Sequence, residues 1–153
     1  MIHILKQQQF LPISIEQAWD FFSRPENLNE ITPPDLSFKI KSTLPEKVYA
    51  GQMILYKVTP FKAVEFDWLT EITQVQSPNF FIDEQRRGPY SLWHHEHHFQ
   101  TVNGGVEMTD IIHYQLPFGW LGNLFHGLIV QPKLNEIFSY RKIILEQKFP
   151  FLK

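Results

Sequence analysis

The chain has 153 residues, of which 43% are hydrophobic, and a formal charge of −2. That is the size of one domain, 1–153, with enough apolar content to bury a core. There is no basic stripe to supply the phosphate contacts that dominate nucleic-acid affinity, so nucleic acid is not an expected partner. The chain has no cysteine, which excludes disulfides, thiolate metal sites and a thiol nucleophile and fits a reducing compartment.

The opening MIHILKQQQF holds too short an apolar stretch for a signal-peptide core and no small-residue cleavage site. The longest apolar run, FGWLGNLFHGLIV from Phe118 to Val130, is broken by glycines and too short to span a bilayer. A soluble, cytoplasmic protein without an integral membrane segment is the expectation. The 14 Phe, 5 Tyr and 4 Trp make 15% aromatic residues. Rings in that number must line either a core or a pocket.

In chain order, Ile2 to Phe10 reads as a strand. Ser14 with Gln17 three residues later matches a capping box, opening a short helix through Ala18, Trp19, Phe21 and Phe22 to about Ser23. Pro25 opens a second short helical segment, ENLNEI, which Thr32-Pro33-Pro34 ends. From Leu36 to Leu116 the chain reads as strands: LSFKIKS, QMILYKVT, FDWLTEITQV, FFIDEQR, LWHHEHHFQTV and VEMTDIIHYQL. The breaks fall at Pro45, Pro60, Ser77-Pro78-Asn79, Gly88-Pro89 and Asn103-Gly104-Gly105. After Pro117 the apolar residues change to helical spacing, at Leu121, Leu124, Phe125 and Leu128, then at Leu134, Ile137, Phe138, Ile144 and Leu145. Pro132 should kink or divide this segment, because its ring clashes with the Leu128 carbonyl. Leu134 to Lys148 is expected as a helix packed by its stripe on the sheet. An antiparallel sheet covered by one long helix is an α+β architecture.

The stretch LWHHEHHF, residues 92–99, places four histidines around a glutamate in an aromatic run. On a strand, Trp93, His95, His97 and Phe99 share one face, and His94, Glu96, His98 and Gln100 the other. The ring-bearing face should point inward and the polar face should be a solvated surface. A two-residue Asn103-Gly104 turn of type I′ pairs residues whose numbers sum to 207, setting Phe99 opposite Met108, His97 opposite Asp110 and Trp93 opposite Tyr114. A slip by one residue would set the rings against Glu107, Thr109 and His113.

An inward His97 therefore faces an inward Asp110, with His95 one diagonal step away, and burial requires such groups to hydrogen-bond. Three readings stay open for them: a polar pair satisfied within the core, a polar anchor at the floor of a ligand pocket, or a metal or acid/base site. No cofactor and no tightly bound transition metal are expected, since three candidate ligands on two adjacent strands lack an evident fourth. In FFIDEQ the strand phase is ambiguous, and Asp83 rather than Glu84 is taken as inward. Arg86 and Arg87, beside the turn at Gly88-Pro89-Tyr90, read as a solvated loop.

The stretches AWDFFSRPENLNEITP, FDWLTEI, DEQRRGPYSLWHHEHHF, LPFGWLG and IFSYR resemble the START-like, or SRPBCC, superfamily with its Bet v 1-like helix-grip fold. The resemblance is nearer to bacterial ligand-binding members related to the polyketide cyclase/dehydrase group, and it covers nearly the whole chain. It implies a curved antiparallel sheet of about six or seven strands wrapped around a long C-terminal helix, with two short helices after the first strand. It also implies a cavity for a hydrophobic or amphipathic small molecule such as a lipid or polyketide. By alternation, its walls would include Tyr56, Trp68, Phe81, Asp83, Trp93, His95, His97, Phe99, Met108, Asp110, Ile112 and Tyr114. The chain lacks the Gly-rich loop between second and third strands of the plant-allergen branch. Alternative expectations are a cyclase or dehydratase using His97 and Asp110, with His95 as a further candidate, and a chaperone-cofactor-like interaction module.

Overall fold

The computed structural model describes residues 1–61, 64–119 and 126–151. Strand β1 (His3–Leu11) leads into helix α1 (Ile15–Phe22) and two 3-10 turns, Pro25–Asn29 and Pro34–Leu36. Strands β2 (Lys39–Ile40), β3 (Gln52–Phe61), β4 (Val64–Gln76), β5 (Phe80–Arg87), β6 (Leu92–Val102) and β7 (Gly105–Gln115) follow, and helix α2 (Gln131–Lys148) closes the chain. The strands form one curved antiparallel sheet in the order β1-β7-β6-β5-β4-β3-β2. No helix among the described residues is long and apolar enough to cross a membrane.

Local chemistry accounts for the boundaries. The capping box is complete: the Gln17 N–H donates to Ser14 Oγ at 3.2 Å, and the Ser14 N–H to Gln17 Oε1 at 3.0 Å. The expected strand over 36–42 shrinks to Lys39–Ile40, because the turn begun at Pro34 ends with Ser37 in a left-handed conformation, φ 43°. Pro60 does not break its strand. β3 runs on to Phe61, with a register irregularity between Val58 and Phe61, the kind of place where a sheet tolerates proline. The β6–β7 register is the expected one, with Trp93, His97 and Phe99 opposite Tyr114, Asp110 and Met108. Its turn is not type I′, since Gly104 alone, at φ 84°, adopts a positive φ, as the second central residue of a type II turn does.

Pro132 divides the C-terminal segment. A π-helical turn, His126–Val130, gives way to α2, and the proline stands in the first turn of α2, where its missing N–H costs no helical hydrogen bond. Leu121, Leu124 and Phe125 lie outside the described residues. The buried stripe of α2 is Leu134, Phe138, Arg141 and Leu145, while Ile137 and Ile144 are half-buried.

Apolar packing falls into separate clusters. Leu11, Ala18, Phe21, Phe99, Val106, Met108 and Leu145 pack under α1 and the end of α2. Ile112 and Tyr114 pack with Leu134 and Phe138, and Ile54, Tyr56, Val58 and Ile72 form a third group on β3 and β4. Leu145 is 0% exposed and Ile143, two residues earlier on the helix, 53%. Leu145→Ala should therefore cost about 2–5 kcal/mol in urea unfolding and Ile143→Ala within about 0.5 kcal/mol. Equal effects would mean that α2 is not docked by this stripe.

Candidate ligand cavity and its buried ion cluster

Between the β3–β4 cluster and the two others lies a cavity of about 730 Å³. Its walls are largely apolar, from Ile54, Val58, Phe66 and Ile72 on one side to Leu134, Ile137 and Phe138 of α2 on the other. Of the candidate residues, Tyr56, Trp68, Phe81, Asp83, Trp93, His95 and His97 line it. Phe99, Met108, Ile112, Tyr114 and Asp110 do not, although all are inward and buried. The reason is the helices: α1 covers Phe99 and Met108, and α2 covers Ile112 and Tyr114, which moves the open space toward β3, β4 and β5.

Rings form one wall. Trp93 stands edge-on to Trp68, centroids 5.2 Å apart, and Tyr90 lies 4.8 Å from Trp93 and 5.7 Å from Trp68. Tyr90 sits on the turn that the sequence presented as a solvated loop. Gln85 holds it there, donating from Nε2 to the Tyr90 carbonyl at 2.7 Å and accepting from the Tyr90 N–H at 3.2 Å. Burial pushes the phenol pKa of both Tyr90 and Tyr56 upward.

Thr32, Thr70, Asn27, Arg24 and Lys133 line the cavity at scattered places, whereas Asp83, His95 and His97 gather at one, built by three adjacent strands. β5 sets Asp83 opposite His95 of β6, and β6 sets His97 opposite Asp110 of β7. His95 Nε2 donates to Asp110 Oδ1 at 2.9 Å, and His97 Nε2 lies 3.0 Å from Asp83 Oδ2. His97 Nδ1 is also 2.9 Å from Asp110 Oδ1 but forms no aligned hydrogen bond there, so charge attraction is the main content of that contact. His95 Nδ1 faces Asp83 Oδ2 at 3.6 Å. The imidazoles are 3.8 Å apart, and Phe81 stacks on His97 at 4.2 Å.

Arg141 completes the cluster and was missed by the sequence reading. Its Nη1 lies 3.7 Å from Asp110 Oδ2, beyond hydrogen-bond reach, its Nε is buried without a partner, and its guanidinium sits 4.7 Å over the Phe138 ring. The signal was present: 134, 138, 141 and 145 are one helical stripe, and an arginine stands in it where a hydrophobe is expected. The side chains of His95, His97, Asp110 and Arg141 are 7, 9, 7 and 9% exposed.

These environments set the ionisation. Burial, aided by the neighbouring His97, holds the His95 pKa below its ordinary value. Burial acts the same way on His97, but Asp110 and Asp83 outweigh it and raise the pKa. For Asp110, burial acts upward and is overcome by the hydrogen bond from His95 and the close approach of His97, leaving the carboxyl well below its usual range. Burial lowers the Arg141 pKa against the pull of Asp110 and Asp83. Asp110 thus stays a carboxylate beside a His97 whose charged form it favours.

The opposite face of β6 does point outward, yet it is not simply solvated. His94 Nδ1 lies 3.0 Å from Glu84 Oε1, His98 Nε2 2.8 Å from Glu96 Oε2, and Arg86 pairs with both Glu71 and Glu84. Polar neighbours on one face, both across strands and two apart along them, make this half-buried lattice, which corrects the reading of Arg86 as loop charge; such partly exposed pairs contribute little each.

The sequence matches no family model and no curated protein. Solved structures do match. TTHA0849 from Thermus thermophilus is 16% identical with a TM-score of 0.69, over 96% of this chain and 97% of that one. Ginseng major latex-like protein 151 from Panax ginseng is 12% identical with a TM-score of 0.70, over 97% and 98%. Ara h 8.0201 is 11% identical with a TM-score of 0.64, over 96% and 99%. At these identities the likeness is one of fold, and the chain has the Bet v 1-like, helix-grip fold.

Proposed function

We propose that this protein binds a hydrophobic or amphipathic small molecule, burying its apolar body in the cavity and setting one acceptor-bearing end, a carbonyl or carboxylate, against the ion cluster. The observation that carries this reading is a largely apolar cavity of about 730 Å³ whose buried charged side chains converge at one place in the wall. Arg141 gives the polar end its character, because a buried guanidinium with unused donors attracts an acceptor.

The rival readings fit less well. An acid/base role for His97 with Asp110 needs an aligned hydrogen bond between them to orient the ring, and His97 Nδ1, though 2.9 Å from Asp110 Oδ1, makes none. An interaction module would have a filled core, whereas this one is open in its centre.

A fluorescent long-chain fatty acid, titrated into the protein beside its methyl ester, tests the proposal. The acid should bind more tightly, and Trp93→Ala should weaken both. His97→Phe should cost about 1–3 kcal/mol of acid binding, while His94→Gln and His98→Gln leave it unchanged. Sensitivity confined to the outer pair, with Trp93→Ala silent, would place binding elsewhere. Native mass spectrometry of protein from its own host would identify the natural occupant.

A further inference from the structure

The inner cluster holds a contact that hydrogen bonding does not explain. His95 Nε2 is engaged with Asp110 Oδ1 at 2.9 Å, which leaves Nδ1 as the ring nitrogen on the side of Asp83. Nδ1 lies 3.6 Å from Asp83 Oδ2 at the cavity wall, beyond hydrogen-bond reach. The same oxygen lies 3.0 Å from His97 Nε2, and one donor atom from each of Asp83, His95 and His97 falls within 4.8 Å of the others. A divalent ion bonded at about 2.0–2.2 Å to such ligands separates neighbouring donors by roughly 3 to 3.6 Å.

We propose that Asp83, His95 and His97 form a binding site for a first-row divalent transition-metal ion, with its remaining coordination positions open to the cavity. Two histidines and one carboxylate are a sufficient protein ligand set for an open site, and no fourth side chain is needed. The second layer supports this assignment. The far nitrogens of both rings, His95 Nε2 and His97 Nδ1, converge on one oxygen of Asp110 at 2.9 Å each. A carboxylate behind the ring is what orients a ligating histidine and raises its basicity. Asp110 is thus a positioning residue, which accounts for its place behind the rings and outside the cavity. Arg141, beyond Asp110, offsets the second carboxylate.

The site goes beyond the small-molecule reading and is tested without the organic ligand. Untagged protein, stripped with a chelator and dialysed, is titrated with Co(II) and followed by visible absorption, and with Zn(II) in competition with a chromophoric chelator. One equivalent should bind, with ligand-field bands of low-coordinate cobalt. Asp83→Asn, which keeps the shape of the side chain, should abolish the bands, and Asp110→Asn should weaken Zn(II) 10- to 100-fold. His94→Gln and His98→Gln should change neither, and thermal melts confirm that each variant is folded. Absence of cobalt bands in the wild-type protein overturns the proposal, as does binding that survives Asp83→Asn or is lost in His98→Gln. Fatty-acid ester binding by the stripped protein is read separately, so either idea can fail alone.

Discussion

Asp110→Ala is expected to destabilise the protein by about 3–5 kcal/mol, the largest loss from any single polar side chain. The variant leaves a charged His97 and Arg141 buried with only Asp83 for both, and takes the hydrogen-bond acceptor from His95. Asp110→Asn, which keeps the shape and one acceptor, should lose less, and chemical unfolding of both against wild type is the measurement. The pH profile carries a second signature. A carboxyl whose folded pKa is depressed contributes stability above its unfolded value, near 3.9, and loses it as pH falls through the folded one. Wild type should therefore lose stability below about pH 4 more steeply than Asp110→Asn. The histidines act in opposite senses. The contribution of His97 is complete below about pH 6.5 and is lost as pH rises through its raised value. That of His95 is present above about pH 6.5 and is lost as pH falls through its lowered value. Between them they should give the profile a maximum near about pH 6.5, with stability falling on either side of it. A profile for Asp110→Asn identical to wild type would show that Asp110 is not ionised in the folded state.

Arg141→Met should move binding and stability in opposite directions. In the free protein the guanidinium is buried with its nearest carboxylate oxygen at 3.7 Å and with Nε unpartnered, so its desolvation is poorly compensated. Replacing such a group by a hydrophobe of similar reach is commonly neutral or stabilising by about 1–4 kcal/mol. The same replacement removes the donors that an acidic ligand would meet, and charge-assisted hydrogen bonds contribute about 1.5–3 kcal/mol. Fatty-acid affinity should therefore fall roughly 10- to 150-fold, while the thermal midpoint holds or rises. The methyl ester should be less affected than the acid. A variant that loses stability and keeps its preference for the acid would make Arg141 a structural partner of Asp110 and nothing more.

Where local pattern and local chemistry agreed, the chain was legible. Ser14 and Gln17 announce α1 because both halves of the capping box lie within one turn of sequence. The pairing of His97 with Asp110 followed from side-chain alternation and a two-residue turn, and it stands although the turn is not of the expected type. Register depends on loop length and on which face is buried, and both are written along the chain.

What the sequence determined by itself is thus the class of fold, the β6–β7 register and the inward face that carries His95 and His97. What only the tertiary structure decided is which inward residues meet empty space and which meet a helix. Phe81 and Phe99 read alike as rings on an inner face, yet Phe81 lines the cavity and Phe99 lies under α1. Asp83 and Glu84 were interchangeable until β5 paired with β6 and set Asp83 against His95. Arg141 could join Asp110 only once α2 docked across β7, because the contact spans elements with no periodicity in common. Patterns of period 2 and 3.6 encode the face of each element, whereas the cavity and its ion cluster arise where faces of different elements converge.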